Sequence, residues 1–198
     1  MNSSRLIIAD DFGFNHTNDI AMLDLCSAGK IDGVSVFSKY ISEKQKNSLL
    51  ALRKNHGTKI GLHFNLTIDD NKQSLVSVQK LLMRSMFGLL DKKLIAEEFN
   101  MQLNIFKDKF NCYPDFIDGH EHVHAFPVIT KIICAKLNKI EYSGLVRHIG
   151  SRSREILLRS IRYNFFLKFF TLEVLSINQR IELRKNNLNF NKKFDGLL

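Results

Sequence analysis

The densest group of chemically active side chains lies in residues 118–124, which read DGHEHVH and hold three of the chain's seven histidines. Neutral imidazoles and carboxylates are the usual ligands of divalent zinc, manganese and iron, and carboxylates also suit magnesium. The alternative interpretation is a solvated polar loop. The histidines are two residues apart, which differs from the HExxH spacing that places two ligands on one helical face. This stretch therefore predicts metal binding or acid–base chemistry, but not a metalloprotease.

Two further groups follow other apolar runs of the chain. Asp10 and Asp11 stand in the sequence ADDFG, and His63 stands in GLHFNLT. Adjacent carboxylates repel each other unless a cation or a shared proton lies between them. Turn or cap aspartates and a buried structural histidine are the alternative interpretations. Neither group establishes a site by itself.

The elements that would position these groups alternate between strand and helix. Short apolar runs predict strands over 6–9, 33–37, 59–66, 116–118 and 144–147. Amphipathic segments predict helices over 17–28, 42–55 and 127–138, two helices broken near Gly88 within 76–110, and one or two more beyond Ser151. Such β–α units predict an α/β fold with a parallel sheet, in one domain over 1–198 with a basic helical segment at about 151–198.

In a parallel sheet of this kind, functional groups gather at the carboxyl ends of the strands. The three groups would then supply a carboxylate, a strand histidine and a loop histidine from three strand ends. This is a three-ligand site with positions left open for water and substrate, as a metal hydrolase needs. A second carboxylate beside the ligating one would serve as general base.

The motifs ADDFG, GLHFNLT and DGHEHVH, with Phe126-Pro127 after the last, resemble the YdjC/ChbG family of carbohydrate deacetylases in order and separation. The resemblance covers residues 5 to about 150. It implies a distorted (β/α) barrel that removes the N-acetyl group of an acetylated amino sugar, such as a chitooligosaccharide, and releases acetate. It also implies a divalent metal, with Mg²⁺ expected first and Zn²⁺ or Mn²⁺ as alternatives.

By position, the resemblance assigns Asp11, His63 and His120 as metal ligands and Asp10 as general base. His124 is the other catalytic candidate, with a role in supporting the site or contacting substrate, and His122 lies in the same loop.

The family usually carries a late His-Pro motif, which this chain lacks, and no histidine follows His148. We therefore expect an incomplete barrel, whose open edge favours self-association. The general acid is not identified. The alternative function is a catalytically impaired sugar- or metal-binding remnant of the family.

The formal charge of +9 is concentrated in residues 147–198, which hold 11 of the 29 basic and 4 of the 20 acidic residues. A further hypothesis is a nucleic-acid contact by this segment, but no known binding motif supports it. The contact would use Arg152, Arg154, Arg159 and Arg162 with Tyr163 and Phe165. We therefore expect an acetylated sugar, and no nucleic acid, as partner.

Charged residues interrupt the most apolar stretch, 156–177, so no membrane span is expected. Three dispersed cysteines and no secretory signal predict a cytoplasmic protein.

Overall fold

A computed structural model describes residues 6–150, 166–192 and 194 of this chain. Six parallel strands form one sheet in the sequential order β1 to β6. Their bounds are β1 Ile8–Phe12, β2 Gly33–Val36, β3 Lys59–Phe64, β4 Phe116–Gly119, β5 Leu145–Val146 and β6 Asn189–Phe190. Within the described residues β1 and β6 do not pair with each other, so the sheet is open. The predicted α/β fold with a distorted, incomplete barrel is confirmed.

Helices connect most of these strands. They are α1 His16–Ser27, α2 Glu43–His56, α3 Val78–Met86, α4 Lys92–Phe110, α5 Pro127–Lys139 and α6 Phe166–Lys185. A 3₁₀ segment, His120–Ala125, joins β4 to α5. The predicted break near Gly88 separates α3 from α4, and Pro127 occupies the first turn of α5, where its missing N–H costs no helical hydrogen bond.

Several boundaries differ from the predictions by one to three residues, among them the end of β1 and the start of α1. Strand β1 was expected to end at Ala9, but it continues through both aspartates to Phe12. Helix α1 begins at His16, one residue before the predicted start at residue 17. Its cap is Asn15, whose side-chain oxygen accepts hydrogen bonds from the amides of Thr17 and Asn18.

Alternation along β3 separates the core from the site. Leu62 and Phe64 are fully buried in the hydrophobic core between sheet and helices, whereas His63 points from the other face. No helix in the described ranges is long and apolar enough to cross a membrane. The arginines and aromatic residues of the nucleic-acid hypothesis lie outside the described residues.

Candidate metal centre

A β-bulge brings both aspartates of β1 to the same end of the sheet. The pairing of β1 with β2 shifts between Ala9 and Phe12, so that Asp10 and Asp11 lie opposite the single residue Ser35. Asp11 has a positive φ of 66°, an uncommon conformation for a residue with a side chain. In a regular strand these neighbours would point to opposite faces. The bulge therefore allows two adjacent carboxylates to serve one site.

The side chains of Asp11, His63 and His120 converge at the carboxyl ends of β1, β3 and β4. Asp11 Oδ1 lies 2.7 Å from His120 Nδ1 and 3.0 Å from His63 Nε2. One potential ligand atom from each residue lies within 4.8 Å of the others. Hydrogen bonds from the two imidazoles outweigh burial and hold the pKa of Asp11 below its ordinary range. These three residues, 109 positions apart at the extremes, form one cluster.

A buried carboxylate supports the other nitrogen of His63. Asp118 is the β4 register partner of His63, and its Oδ1 lies 2.7 Å from His63 Nδ1. The Ser35 hydroxyl donates a hydrogen bond to the same oxygen. Burial opposes the charged imidazole, but the charge of Asp118 and hydrogen bonds with Asp11 and Asp118 raise the pKa of His63 to about 10. Asp118 therefore fixes the ring so that Nε2 faces Asp11 and His120.

Arg147, directly after β5, connects the remaining carboxylates. Its Nη1 and Nη2 donate to the two oxygens of Asp10 at 2.6 and 2.9 Å, and Nη2 also lies 2.8 Å from Asp118 Oδ2. Burial, with the charge of Asp118, raises the pKa of Asp10, although hydrogen bonds from Arg147 oppose that shift. Asp10, His63 and Asp118 also offer ligand atoms within 4.8 Å of one another. Asp10 is thus beside the cluster and is oriented by a bidentate guanidinium.

The loop histidines occupy different positions. His124 is 1 % exposed, its Nε2 lies 2.9 Å from the Arg147 carbonyl oxygen, and burial lowers its pKa to about 3. The structure does not place it in the three-residue cluster, and its catalytic role stays a prediction. His122 has a positive φ and packs edge-on against Phe194. Of the three loop histidines, His120 is the one that joins Asp11 and His63.

Phe37 forms an apolar wall beside the cluster. Its ring centroid lies 4.9 Å from that of His63 and 5.3 Å from that of His120, both edge-on. The side chain is almost fully buried. Phe37 thus restricts the rotation of both imidazoles and excludes water from one side of the site.

Sequence reasoning assigned no role to Arg147, Asp118 or Ser35. Arg147 lies at the end of a predicted strand, as the other candidate groups do, and that position is the sequence signal that could have identified it. Asp118 stood inside the histidine-rich stretch, and strand pairing with His63 was the missing information. Ser35 carried no local signal, because a serine inside an apolar strand is ordinary.

The residues present fit a divalent cation. One carboxylate oxygen and two imidazole nitrogens face a common point, and the second nitrogen of His63 is held by a carboxylate, as is usual for metal-bound histidine. Three protein ligands also leave coordination positions for other molecules. The cluster therefore has the composition of a catalytic rather than a closed structural metal centre.

Two curated relatives share sequence with this chain. A carbohydrate deacetylase of Mus musculus is 28% identical over 148 residues, 67% of this chain and 47% of that protein. A chitooligosaccharide deacetylase of Enterobacter sp. (strain 638) is 26% identical over 140 residues, 67% of this chain and 55% of that protein. This chain thus spans about half the length of these relatives.

A solved structure from Enterococcus faecalis V583, called a "putative cellobiose-phosphate cleavage protein", shares the fold. It aligns with a TM-score of 0.56 and 20% identity, covering 81% of this chain and 64% of that one. The family model described as YdjC-like protein matches residues 5–198. The chain belongs to the YdjC-like protein family.

Proposed function

We propose that this chain carries the active site of a metal-dependent carbohydrate deacetylase, which hydrolyses the N-acetyl group of an acetylated amino sugar. The convergence of Asp11, His63 and His120 from three strand ends, with Asp10 beside them, is the observation that supports this proposal. The names of the relatives support the same reaction class and a chitooligosaccharide-like substrate.

The proposed site would hold the ion through Asp11, His63 and His120. A divalent ion bound there supplies a Lewis-acidic positive charge beside the acetyl carbonyl. Asp118, at His63 Nδ1, would favour the tautomer that leaves the Nε2 lone pair free to bind the ion. Phe37 keeps both imidazoles in place and shields them from bulk water.

Asp10 is the proposed general base. Arg147 fixes the plane of the Asp10 carboxylate through two hydrogen bonds. Burial raises the pKa of Asp10 toward neutral pH, which makes the carboxylate a better proton acceptor. In the reaction the oxygen of a water molecule bonds to the carbonyl carbon while Asp10 accepts a proton. The C–N bond then breaks, so that acetate and the free amine leave, with one proton of the water ending on the amine nitrogen.

The resemblance implies Mg²⁺ as the ion. Two imidazole donors also suit Zn²⁺ and Mn²⁺, because nitrogen ligands favour later transition metals over magnesium. The assay therefore includes all three ions. His124, which hydrogen-bonds the Arg147 carbonyl, is proposed to keep Arg147 and hence Asp10 in position.

The test is acetate release from N,N′-diacetylchitobiose by metal-stripped protein reloaded with Mg²⁺, Mn²⁺ or Zn²⁺. Asp11→Asn should lose both metal binding and activity, whereas Asp10→Asn should retain the metal and lose activity by about 10²-fold or more. Asp24→Asn, an exposed carboxylate on α1, is the matched control and should behave like wild type. Metal and sugar binding without acetate from any amino sugar would contradict the proposal and favour a binding protein without turnover.

A further inference from the structure

The turn that carries Asp11 has a conformation that its own sequence does not favour. Asp11 has φ 66° and Gly13 has φ 97°, and the turn is closed by a hydrogen bond from the Phe14 amide to the Asp11 carbonyl at 3.1 Å. Aspartate adopts this conformation more readily than most residues with a side chain, but surrounding contacts are still needed to hold it there. The groups that bind this turn therefore determine where the Asp11 carboxylate lies.

One side of the turn is held by a buried carboxylate. Asp19, 1 % exposed, accepts a hydrogen bond from the Gly13 amide at 2.8 Å. Its second oxygen accepts from Gln45 Nε2 at 2.6 Å, which fixes the carboxylate against α2. A larger residue than glycine does not fit at position 13, because its Cβ would lie 2.9 Å from the side chain of Ile41.

The other side is held by a lysine from a distant loop. Lys72 Nζ donates to the Gly13 carbonyl at 2.7 Å and to the Phe14 carbonyl at 2.8 Å. The ammonium also lies 5.9 Å from the ring centroid of Phe14 and 5.6 Å from that of Tyr40. Asp19 thus accepts from the amide of Gly13, and Lys72 donates to its carbonyl.

The loop that presents Lys72 is itself well braced. The Asp69 carboxylate accepts hydrogen bonds from the amides of Asn71 and Gln73, both at 2.9 Å. Tyr40 donates from its hydroxyl to the Asp69 carbonyl at 2.7 Å. Lys72 is in a left-handed conformation, with φ 61°, that aims its side chain back across the turn. Lys72 is exposed, but its ammonium group has two carbonyl acceptors and lies near two aromatic rings, and these contacts restrict its conformation.

We propose that Lys72 is a positioning residue for the metal centre: it holds the Asp11–Phe14 turn so that Asp11 lies ready to bind the ion. The inference rests on the proposed metal centre. It concerns ion affinity directly and does not depend on which sugar is hydrolysed.

The sign of the effect separates positioning from simple electrostatics. Removing a positive charge near a cation site would by Coulomb's law strengthen cation binding. Releasing the turn would weaken it, because Asp11 would have to be reordered on binding. Loss of an outer contact of a metal ligand typically weakens affinity by about 10- to 100-fold. We expect about tenfold weaker binding in Lys72→Met, toward the lower limit because Lys72 acts through the backbone.

The experiment is calorimetric titration of metal-stripped protein with Mn²⁺, repeated with Zn²⁺, on wild type, Lys72→Met, Lys72→Arg and Lys72→Gln. Arginine keeps both charge and donors and should bind within about threefold of wild type, whereas neutral glutamine, which still donates, should lie between wild type and methionine. Lys80→Met removes a positive charge from an exposed position on α3 and should leave affinity unchanged. Circular dichroism checks folding, and Lys72→Gln replaces Lys72→Met in the comparison if the latter is unfolded.

Equal or tighter binding by the folded neutral variant would overturn the inference. Failure of wild type to bind either ion would instead overturn the metal centre itself, and the positioning role with it. Loss of deacetylation in wild type with normal ion binding would refute the proposed reaction and leave the role of Lys72 standing.

Discussion

Replacing Arg147 by methionine should destabilise the protein strongly, because the guanidinium is the positive partner of two carboxylates at once. The Arg147 side chain is 9 % exposed, and Asp118 is fully buried. Breaking a buried ion pair by removing one partner costs about 3–5 kcal/mol, since a desolvated charge remains. Asp10 is partly exposed and contributes less. We expect a loss of about 3–4 kcal/mol, or a melting temperature lower by about 10 °C for a chain of this size.

Urea unfolding at pH 7 measures this loss. The matched control is Arg53→Met, which breaks the ion pair with Asp115, where both side chains are about a quarter exposed. A partly exposed pair leaves a better hydrated charge behind than a fully buried one, so the control should lose less. Arg147→Lys, which keeps the charge but not the planar fork, should recover part of the difference.

The pH dependence gives a second test of the same explanation. In wild type the charges of Arg147 and His63 outweigh burial and hold the pKa of Asp118 well below its usual range. Without Arg147 the pKa of both Asp118 and Asp10 should rise. The free energy of unfolding of the variant should therefore lie closest to that of wild type at pH 5 and furthest below it at pH 7, where both carboxylates are ionised. A deficit below about 1 kcal/mol, or one that grows toward acid, would refute the assigned role.

Three further predictions concern single residues. Mn²⁺ binding at pH 8 should release about one proton, because the pKa of His63 is about 10 and a ligating imidazole must be neutral. Calorimetry in buffers of different ionisation enthalpy counts the released protons, and a count near zero would contradict the prediction. Gly13→Ala should cost more unfolding free energy in urea than Gly57→Ala, since both have positive φ but only Gly13 also approaches Ile41; equal losses would exclude the steric part. Burial lowers the pKa of His124 to about 3, so the contribution of the neutral imidazole to folding stability is complete above about pH 6.5 and declines toward acid. Between pH 7 and 5 the free energy of unfolding of wild type should therefore fall by about 2 kcal/mol more than that of His124→Asn. Equal falls in urea unfolding would contradict this prediction.

The order of elements follows from local patterns, whereas the shape of β1 does not. Apolar runs such as residues 59–64 and the proline at the start of α5 indicate strands and helix starts within a few residues. Asp10 and Asp11 looked like the end of β1 because carboxylates are rare inside buried strands. The strand includes them because the bulge turns both side chains toward the site, where Arg147 and two histidines are their partners.

The three groups that hold the candidate ligands were predictable from one geometric rule, the gathering of strand carboxyl ends, and the family resemblance selected Asp11, His63 and His120 within them. The supports of those ligands were not. Asp118 and His63 meet through strand register, and Arg147 reaches Asp10 across 137 residues. Lys72 reaches Gly13 across 59 residues through a loop. Such pairs depend on tertiary placement, which hydrophobic periodicity does not encode.

The charges of Asp10, Asp11, Asp118 and Arg147 explain the raised pKa of His63 and the expected affinity of the site for a cation. With His63 neutral, the carboxylates of Asp10, Asp11 and Asp118 and the guanidinium of Arg147 carry a net charge of −2. In the metal-free protein a proton on His63 reduces that excess, which is why the pKa of this buried imidazole is raised rather than lowered. A divalent ion would displace the proton and balance the remaining charge. The same carboxylates that repel one another without a cation would therefore favour the binding of a divalent cation at the proposed site.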